Sequence, residues 1–291
     1  LTCIRQLFED GGLISGSSAG AAVMSGPMLL SGTSLHAVSR GAGTGDEDFR
    51  LGRGLGFFHW GVVDQHFLQR GRIGRLLIAA RECAEPLAFG VDENSALIVR
   101  GDRAEVVGET GVLFIDMRRA QRDCGDALLR DVRVSYLDDG DAIDLRRGKV
   151  IPAADKQRTR VTRSSYRRPA PVRRNAFASY AIHDLMLRLV EADPAYYCSD
   201  SASAFDAAFG RQVTLDVRRL PRRSRALRAV RDGEIRYSAL NFSLDLRCAE
   251  LDACPLNEST VVLHPDPVPE ARLVLLGDSP VKWPQDANSA L

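Results

Sequence analysis

The chain has 291 residues, of which 45% are hydrophobic and 26% are charged, and its formal net charge is +1. This composition excludes global disorder, which requires low hydrophobicity together with high net charge, and it excludes a polycation that coats nucleic acid. No run of 18 apolar residues predicts a transmembrane helix. The six cysteines form neither a CxxC pair nor a short Cys/His cluster, so no metal site is expected. The length suggests about two domains.

The first predicted elements place a serine on a sharp turn. Residues 1–10 have helical spacing and end at a Gly-Gly pair. Leu13–Gly16 is a short apolar run bounded by glycine, which is typical of a buried strand. The small residues from Ser18 to Met24 then predict a closely packed helix. Ser18 is therefore expected on a strand–turn–helix corner.

Further along, the pattern predicts an α/β region followed by a β-rich region. Residues 31–54 are rich in Gly, Ser and Thr and are expected to form a loop. A buried strand end at Gly61–Asp64 precedes a helix over Ile73–Ala84. Strands are then predicted over 87–91, 96–99, 104–107 and 112–115, with two more between 133 and 150. After a helix over 180–191, short strands are predicted over 212–217, 234–237, 242–246, 261–263 and 273–276.

A basic segment divides these two regions. From Lys156 to Arg174 the chain carries Lys and Arg side chains with no acidic residue between them, and two prolines lie inside the segment. A solvated linker and a binding site for an acidic partner both fit this composition. The predicted organisation is a catalytic α/β domain over 1–155, a linker over 156–175 and a β-rich extension over 176–291.

The segment around Ser18 has the form of a nucleophile elbow. Gly16 and Gly20 flank the serine in a G-x-S-x-G pattern at the end of an apolar run and before a helix. Such a turn exposes the hydroxyl, and the backbone N–H of Ala19 would be the first donor of an oxyanion hole. The pattern also occurs by chance, and an N-cap serine in a glycine turn is the alternative interpretation.

A serine nucleophile needs a base, and His66 is the candidate. It follows the apolar run that ends at Asp64, and α/β sheets place reactive groups in loops after strands. A structural histidine is the alternative. Arg70, Arg72 and Arg75 follow and suit a carboxylate ligand, although a charged helix start would have the same composition.

Three segments together resemble one known family, the cyanophycinases, which are serine peptidases related to the aspartyl dipeptidases. The nucleophile segment GSSAGAAVM over 16–24 resembles theirs, and DQHFLQRGRIGRL over 64–76 resembles their second motif nearly residue for residue. GVDENSAL over 90–97 resembles a third. The resemblance is strong over about residues 10–117 and loose after the basic segment.

The resemblance implies a fold, a substrate and a set of roles. The family has a flavodoxin-like α/β domain of the class I glutamine amidotransferase type and usually forms homodimers. It hydrolyses cyanophycin, an aspartate backbone with arginine on each side chain, to β-aspartyl-arginine. Ser18 would be the nucleophile and His66 the base, with no metal or organic cofactor and no nucleic-acid or membrane partner. The substrate pocket would be formed by Asp64, Gln65, Arg70, Arg72 and Arg75.

The sequence departs from the family in two respects. Where the family has the glutamate of its catalytic triad, this chain has His36, which cannot stabilise a protonated histidine as a carboxylate does. The acids Asp46, Glu47 and Asp48 are candidates to replace it. The family also has strands before the nucleophile strand, a Gly-Gly turn of the oxyanion hole and a substrate-binding glutamine, so the catalytic domain is expected to lack its N-terminal part.

Three functions fit these observations. The leading hypothesis is a serine-type exopeptidase that degrades cyanophycin through an acyl-enzyme on Ser18. A dipeptidase for short aspartyl peptides would use the same pocket residues, and a catalytically impaired protein that binds the polymer would fit His36. The sequence does not assign a role to residues 176–291, and it leaves the compartment, cytoplasmic or secreted, open.

Overall fold

The computed structural model describes residues 1–45, 48–125, 127–158, 175–192 and 198–250. Its helices are α1 (Thr2–Glu9), α2 (Ala19–Ala22), α3 (Ser34–Arg40), α4 (Ile73–Glu82) and α5 (Ala181–Glu191). No helix in these ranges is both long and apolar enough to cross a membrane.

Within the described ranges the strands fall into three sheets. Those of the first half are β1 (Pro27–Ser31), β2 (Arg50–Arg53), β3 (Val62–Asp64), β4 (Leu87–Val91), β5 (Ser95–Arg100), β6 (Arg103–Gly108), β7 (Val112–Asp116), β8 (Gln121–Cys124), β9 (Ala127–Leu137), β10 (Ala142–Asp144), β11 (Lys149–Ile151) and β12 (Gln157–Arg158). Those after the basic segment are β13 (Ser199–Asp206), β14 (Arg211–Arg218), β15 (Arg225–Arg231) and β16 (Glu234–Glu250). β1 and β2 form a two-stranded antiparallel sheet, and β5, β6, β10 and β11 form a four-stranded antiparallel sheet.

The main sheet is mixed, which confirms the α/β class. Its central order is β12-β15-β16-β9-β7-β4-β3. In addition, β8 pairs with β9, β14 pairs with β16, and β13 pairs with β14. Among the named strands of the described residues, β3 and β4 are the parallel pair and the other pairings are antiparallel. The flavodoxin-like topology within this class stays a prediction.

Strands from both sides of the basic segment share this sheet. The long strand β16 pairs with β9 through contacts that include Ala239 opposite Tyr136 and Leu244 opposite Val132. The described residues accordingly belong to one compact unit. The division into a catalytic domain, a linker and an extension stays a prediction, and residues 159–174 of the predicted linker lie outside the described ranges.

The alternation of side chains gives the sheet a core on each face. In β3, Val62 packs into the larger core, which contains α4 and α5, whereas the next residue, Val63, packs into the smaller core against the four-stranded sheet. The larger core contains Phe67, from the loop after β3, together with Phe242 of β16. The loop that carries the second motif is therefore held by a core to which both halves of the chain contribute.

Two sequence predictions about local structure are wrong. Leu13–Gly16 is not a strand, and Leu13 is 90% exposed, because no strand among the described residues offers it hydrogen-bond partners. Residues 31–54 are not a continuous loop, since α3 and β2 lie within them. The strand predictions over 261–263 and 273–276 lie outside the described residues.

The contribution of β16 to the larger core predicts a large loss of stability for Phe242→Ala. The Phe242 ring is completely buried, so its removal leaves a cavity and should lower the free energy of unfolding by about 3–5 kcal/mol. Phe205→Ala is the matched control, because the Phe205 ring is 54% exposed and its loss should cost about 1 kcal/mol or less. Urea unfolding of both variants measures the difference, and equal losses would contradict the packing described here.

Candidate active site

The parallel pairing of β3 and β4 brings two motifs to one edge of the sheet. Val62, Val63 and Asp64 lie opposite Ala88, Phe89 and Gly90. Each strand ends at that edge, so the loop after β3 and the loop after β4 emerge side by side. The first loop carries His66 and the second carries Glu93.

The turn at Ser18 holds an unusual backbone conformation. Ser18 has φ 52° and ψ −121°, and His66 also has a positive φ of 46°. Non-glycine residues rarely adopt positive φ, and such strained positions cluster at functional sites. Gly16 is required by its surroundings, because a Cβ there would overlap the Gly20 carbonyl group. The Ser18 turn is therefore closed by close contact between the two flanking glycines.

Ser18, His66 and Glu93 form a hydrogen-bonded chain. Ser18 Oγ lies 2.9 Å from His66 Nε2, and His66 Nδ1 lies 2.7 Å from Glu93 Oε1. With the proton on Nδ1, the imidazole donates to the carboxylate and accepts from the serine hydroxyl. The His66 side chain is 26% exposed and that of Glu93 41%, while Ser18 is exposed. A ligand can therefore reach the hydroxyl from solvent.

The carboxylate at the histidine differs from those considered in the sequence. Glu93 occupies the position beside Nδ1, so His36 does not. His36 lies in the first turn of α3, where its backbone N–H donates to Thr33 Oγ1 at 3.2 Å. Asp48 accepts from the Gly45 backbone N–H at 2.7 Å, and Asp46 and Glu47 lie outside the described residues. The carboxylate that lies beside His66 in the structure therefore comes from the loop after β4.

Sequence reasoning missed Glu93 although a usable signal was present. The third motif places Asp92 and Glu93 directly after the apolar strand β4, just as the second motif places His66 after β3. The rule that reactive groups follow parallel strands applied equally to both loops. What the sequence did not reveal is that β3 and β4 are neighbours in the sheet.

Two of the predicted pocket residues bind each other. Asp64 is fully buried, and Arg75 donates to its carboxylate through Nε at 2.7 Å and Nη2 at 2.5 Å. Arg75 also donates to the Gly32 carbonyl at 2.9 Å. A buried charge requires such pairing, so this pair braces the loop between β3 and α4. Direct contact of Asp64 or Arg75 with a ligand stays a prediction.

The other pocket candidates are more accessible. Arg70 is exposed, whereas Arg72 is partly buried and donates to the Gln65 carbonyl. Burial, followed by the nearby charge of Arg75, lowers the pKa of Arg72 to about 10, so it remains a cation at neutral pH. The Gln65 Oε1 atom is buried and accepts no hydrogen bond from the described residues. Arg70, Arg72 and Gln65 therefore lie in the loop that also positions His66.

The helix after Ser18 is too short to have a large macrodipole. α2 comprises the four residues Ala19–Ala22, a single turn, so its macrodipole adds little to an oxyanion site. Any stabilisation of an oxyanion beside Ser18 has to come from individual backbone N–H groups. The role of the Ala19 N–H stays a prediction.

Comparison with known proteins identifies relatives over half of the chain. A curated cyanophycinase from Synechococcus elongatus is 33% identical over 154 residues, which is 50% of this chain and 46% of that protein. The cyanophycinase of Trichormus variabilis is 30% identical over 166 residues, 53% of this chain and 52% of that protein. That of Geminocystis herdmanii is 36% identical over 115 residues, 39% and 40% of the two chains. No protein-family model matches the chain.

These relatives show that the chain is related to the cyanophycinase family, as the three motifs predicted. The chain spans about half the length of the curated relatives it matches.

The close approach of Gly16 to the Gly20 carbonyl group predicts different outcomes for alanine at these two positions. Gly16→Ala should slow labelling of Ser18 by a fluorophosphonate by about 100-fold, because the added methyl displaces the turn and the hydroxyl with it. Gly20→Ala is the matched control, since a Cβ there meets no atom within 4 Å. Mass spectrometry of the labelled peptide measures both rates. Similar rates for the two variants would show that the turn does not depend on Gly16.

Proposed function

We propose that the chain is a serine-type peptidase that degrades cyanophycin, with Ser18 as nucleophile, His66 as general base and Glu93 as the carboxylate that orients it. The observation that carries this proposal is the 2.9 Å and 2.7 Å hydrogen-bonded chain from Ser18 through His66 to Glu93. The strained φ of Ser18 and the relationship to cyanophycinases support it independently.

The geometry suits acyl transfer. Ser18 Oγ attacks the scissile carbonyl carbon while His66 Nε2 takes the hydroxyl proton, and the carbonyl π electrons move to oxygen. When the tetrahedral intermediate collapses, the C–N bond breaks and His66 gives its proton to the departing amine. Water then hydrolyses the acyl-enzyme with the same proton transfers in the same order. Glu93 stabilises the imidazolium that forms in each half-reaction.

The charges around the loop suit a substrate with free carboxylates. Arg70 is exposed and can bind a carboxylate of a polyaspartate end. Arg72 keeps its charge at neutral pH, but its Nη1 already lies 3.6 Å from the Asp64 carboxylate, so a substrate would share it with Asp64. The buried Gln65 Oε1 has no partner in the described residues and is free to accept from a substrate N–H once a side-chain rotation exposes it. We infer release of β-aspartyl-arginine from this arrangement and from the family relationship.

Purified chain with insoluble cyanophycin tests the proposal. We expect release of β-aspartyl-arginine, measured by chromatography, and a fall of at least about 10³-fold for Ser18→Ala, since removal of a nucleophile abolishes the acyl-enzyme route. Equal release by both proteins would disprove the mechanism. Activity on Asp-X dipeptides without polymer release would show a dipeptidase instead, and polymer binding without fluorophosphonate labelling would show a binding protein.

The hydrogen bond between Glu93 and His66 predicts that the rate depends on Glu93 and not on His36. Glu93→Gln should lower kcat/KM by about 10²–10⁴-fold, because the neutral amide no longer stabilises the imidazolium or selects its tautomer. His36→Ala is the control and should change the rate by less than about threefold, since the hydrogen bonds of His66 in the described structure go to Ser18 and Glu93 and not to His36. The two variants are compared in the same dipeptide-release assay. A larger loss for His36→Ala than for Glu93→Gln would assign the acid position to α3.

A further inference from the structure

The carboxylate of Glu93 depends on its own backbone for its position. The side chain is 41% exposed, and among the described residues it has no hydrogen-bond partner besides His66 Nδ1. A glutamate side chain with a single partner keeps much of its rotamer freedom, and a directional hydrogen bond suffers from that freedom. The carboxylate therefore stays beside the imidazole only if the loop after β4 is held at the Glu93 backbone.

Glu93 lies on one of two chain crossings between sheets. Residues 92–94 lead from β4 in the main sheet to β5 in the four-stranded sheet, and residues 109–111 lead back from β6 to β7. The two crossings run side by side, because β4 pairs with β7 and β5 pairs with β6. The middle residue of the second crossing is Thr110.

Backbone hydrogen bonds join the two crossings on either side of Glu93. The Asp92 N–H donates to the Gly111 carbonyl at 3.3 Å, and the Glu109 N–H donates to the Asn94 carbonyl at 2.8 Å. Within the part of the chain that the structure describes, no backbone N–H donates to the Glu93 carbonyl between them. That carbonyl needs a donor of another kind.

The Thr110 hydroxyl is this donor. Thr110 Oγ1 donates to the Glu93 carbonyl, and Ser95 Oγ lies 2.8 Å from Thr110 Oγ1. Ser95 Oγ also accepts from the backbone N–H groups of Gly111 at 2.6 Å and Thr110 at 3.2 Å. Because these two bonds occupy its lone pairs, Ser95 Oγ gives its own proton to Thr110 Oγ1. The Thr110 proton is thereby directed to the Glu93 carbonyl.

Thr110 is itself anchored to the main sheet. The phenol of the buried Tyr136 in β9 donates to the Thr110 carbonyl. Gly108, with a φ of +135°, lets the second crossing pack closely, because a Cβ there would lie 2.2 Å from the Asn94 carbonyl oxygen. Thr110 therefore connects a buried strand of the main sheet to the backbone of Glu93.

We propose that Thr110 is a positioning residue of the candidate active site, whose hydroxyl holds the Glu93 backbone and so keeps the carboxylate at His66. This inference rests on the proposed function. Thr110 acts through Glu93 and touches neither the substrate nor the reacting atoms. The hydroxyl is required rather than the bulk of the side chain, because a methyl group in its place cannot donate.

Thr110→Val tests the inference with the shape of the side chain retained. Without the donor the Glu93 backbone is less constrained, and fluorophosphonate labelling of Ser18 should slow by about tenfold, since small displacements of an orienting group are costly. Thr110→Ser keeps the hydroxyl and should label within about twofold of the unchanged chain. Thr214→Val is the matched control, because it also removes a threonine hydroxyl beside a serine hydroxyl, that of Ser203 at 3.0 Å in the neighbouring strand. Its labelling rate, measured by mass spectrometry like the others, should not change.

A double-mutant cycle with Glu93→Gln separates a positioning role from a general structural one. If Thr110 acts through the carboxylate, Thr110→Val should cost less than about twofold once that carboxylate is an amide. An equal fall in both backgrounds would overturn the inference, and so would a Thr110→Val rate equal to that of the unchanged chain. Ser95→Ala replaces Thr110→Val if that variant does not fold. It removes the hydroxyl that directs the Thr110 proton, so an unaltered labelling rate in Ser95→Ala would then overturn the inference.

A measurement independent of Ser18 reactivity separates this inference from the proposed function. The proton NMR resonance of His66 Nδ1–H in the full chain reports its hydrogen bond to Glu93 whether or not Ser18 reacts. The resonance should move toward its position in Glu93→Gln when Thr110 is replaced by Val, and should not move in Thr110→Ser. Absence of labelling in the unchanged chain, with this response of the resonance, would defeat the proposed function alone. Labelling of the unchanged chain, with the same resonance in Thr110→Val, would defeat the positioning role alone.

Discussion

The parallel pairing of β3 with β4 is the constraint on which the candidate active site depends. Parallel neighbouring strands end at the same edge of the sheet. The loops that follow them place His66 Nδ1 2.7 Å from Glu93 Oε1. Gly90 allows the pairing to be compact, because a Cβ there would collide with the Phe67 ring that closes the loop after β3. If either strand shifted by one residue, its side chains would change faces and the hydrogen bond would be lost.

The rest of the sheet supports this pair from one side. β4 pairs with β7, β7 with β9 and β9 with β16, so strands that follow the basic segment belong to the same hydrogen-bonded sheet. A second connection lies at α3, where Ser39 and Arg40 bind Asp206 of β13. The hydrogen bond from Arg40 is the largest influence that lowers the pKa of Asp206, so this link is ionic at neutral pH. Both links make the loops of the candidate active site and the later strands parts of one packed unit.

Local sequence patterns predicted the helices and strands of this structure better than they predicted which of these elements lie side by side. The strands β4 to β7 and the helix α4 follow from apolar runs and helical spacing, and the Ser18 turn follows from its glycines. Leu13–Gly16 has the pattern of a buried strand and still is not one, since a strand exists only through a partner. Glu93 was missed for the same reason. Its position beside His66 depends on the pairing of β3 with β4, which does not appear in local periodicity.

The buried pair Asp64–Arg75 changes how the arginines of the second motif should be interpreted. Loss of either partner leaves an uncompensated buried charge, which costs about 3–5 kcal/mol and disturbs the loop. A loss of Ser18 reactivity in a variant at either position would therefore not show that the side chain contacts a ligand. Arg70, which is exposed, does not carry this ambiguity. Within the motif, Arg75 braces the loop and Arg72 also lies 3.6 Å from Asp64, so Arg70 is the most open of the three to a ligand.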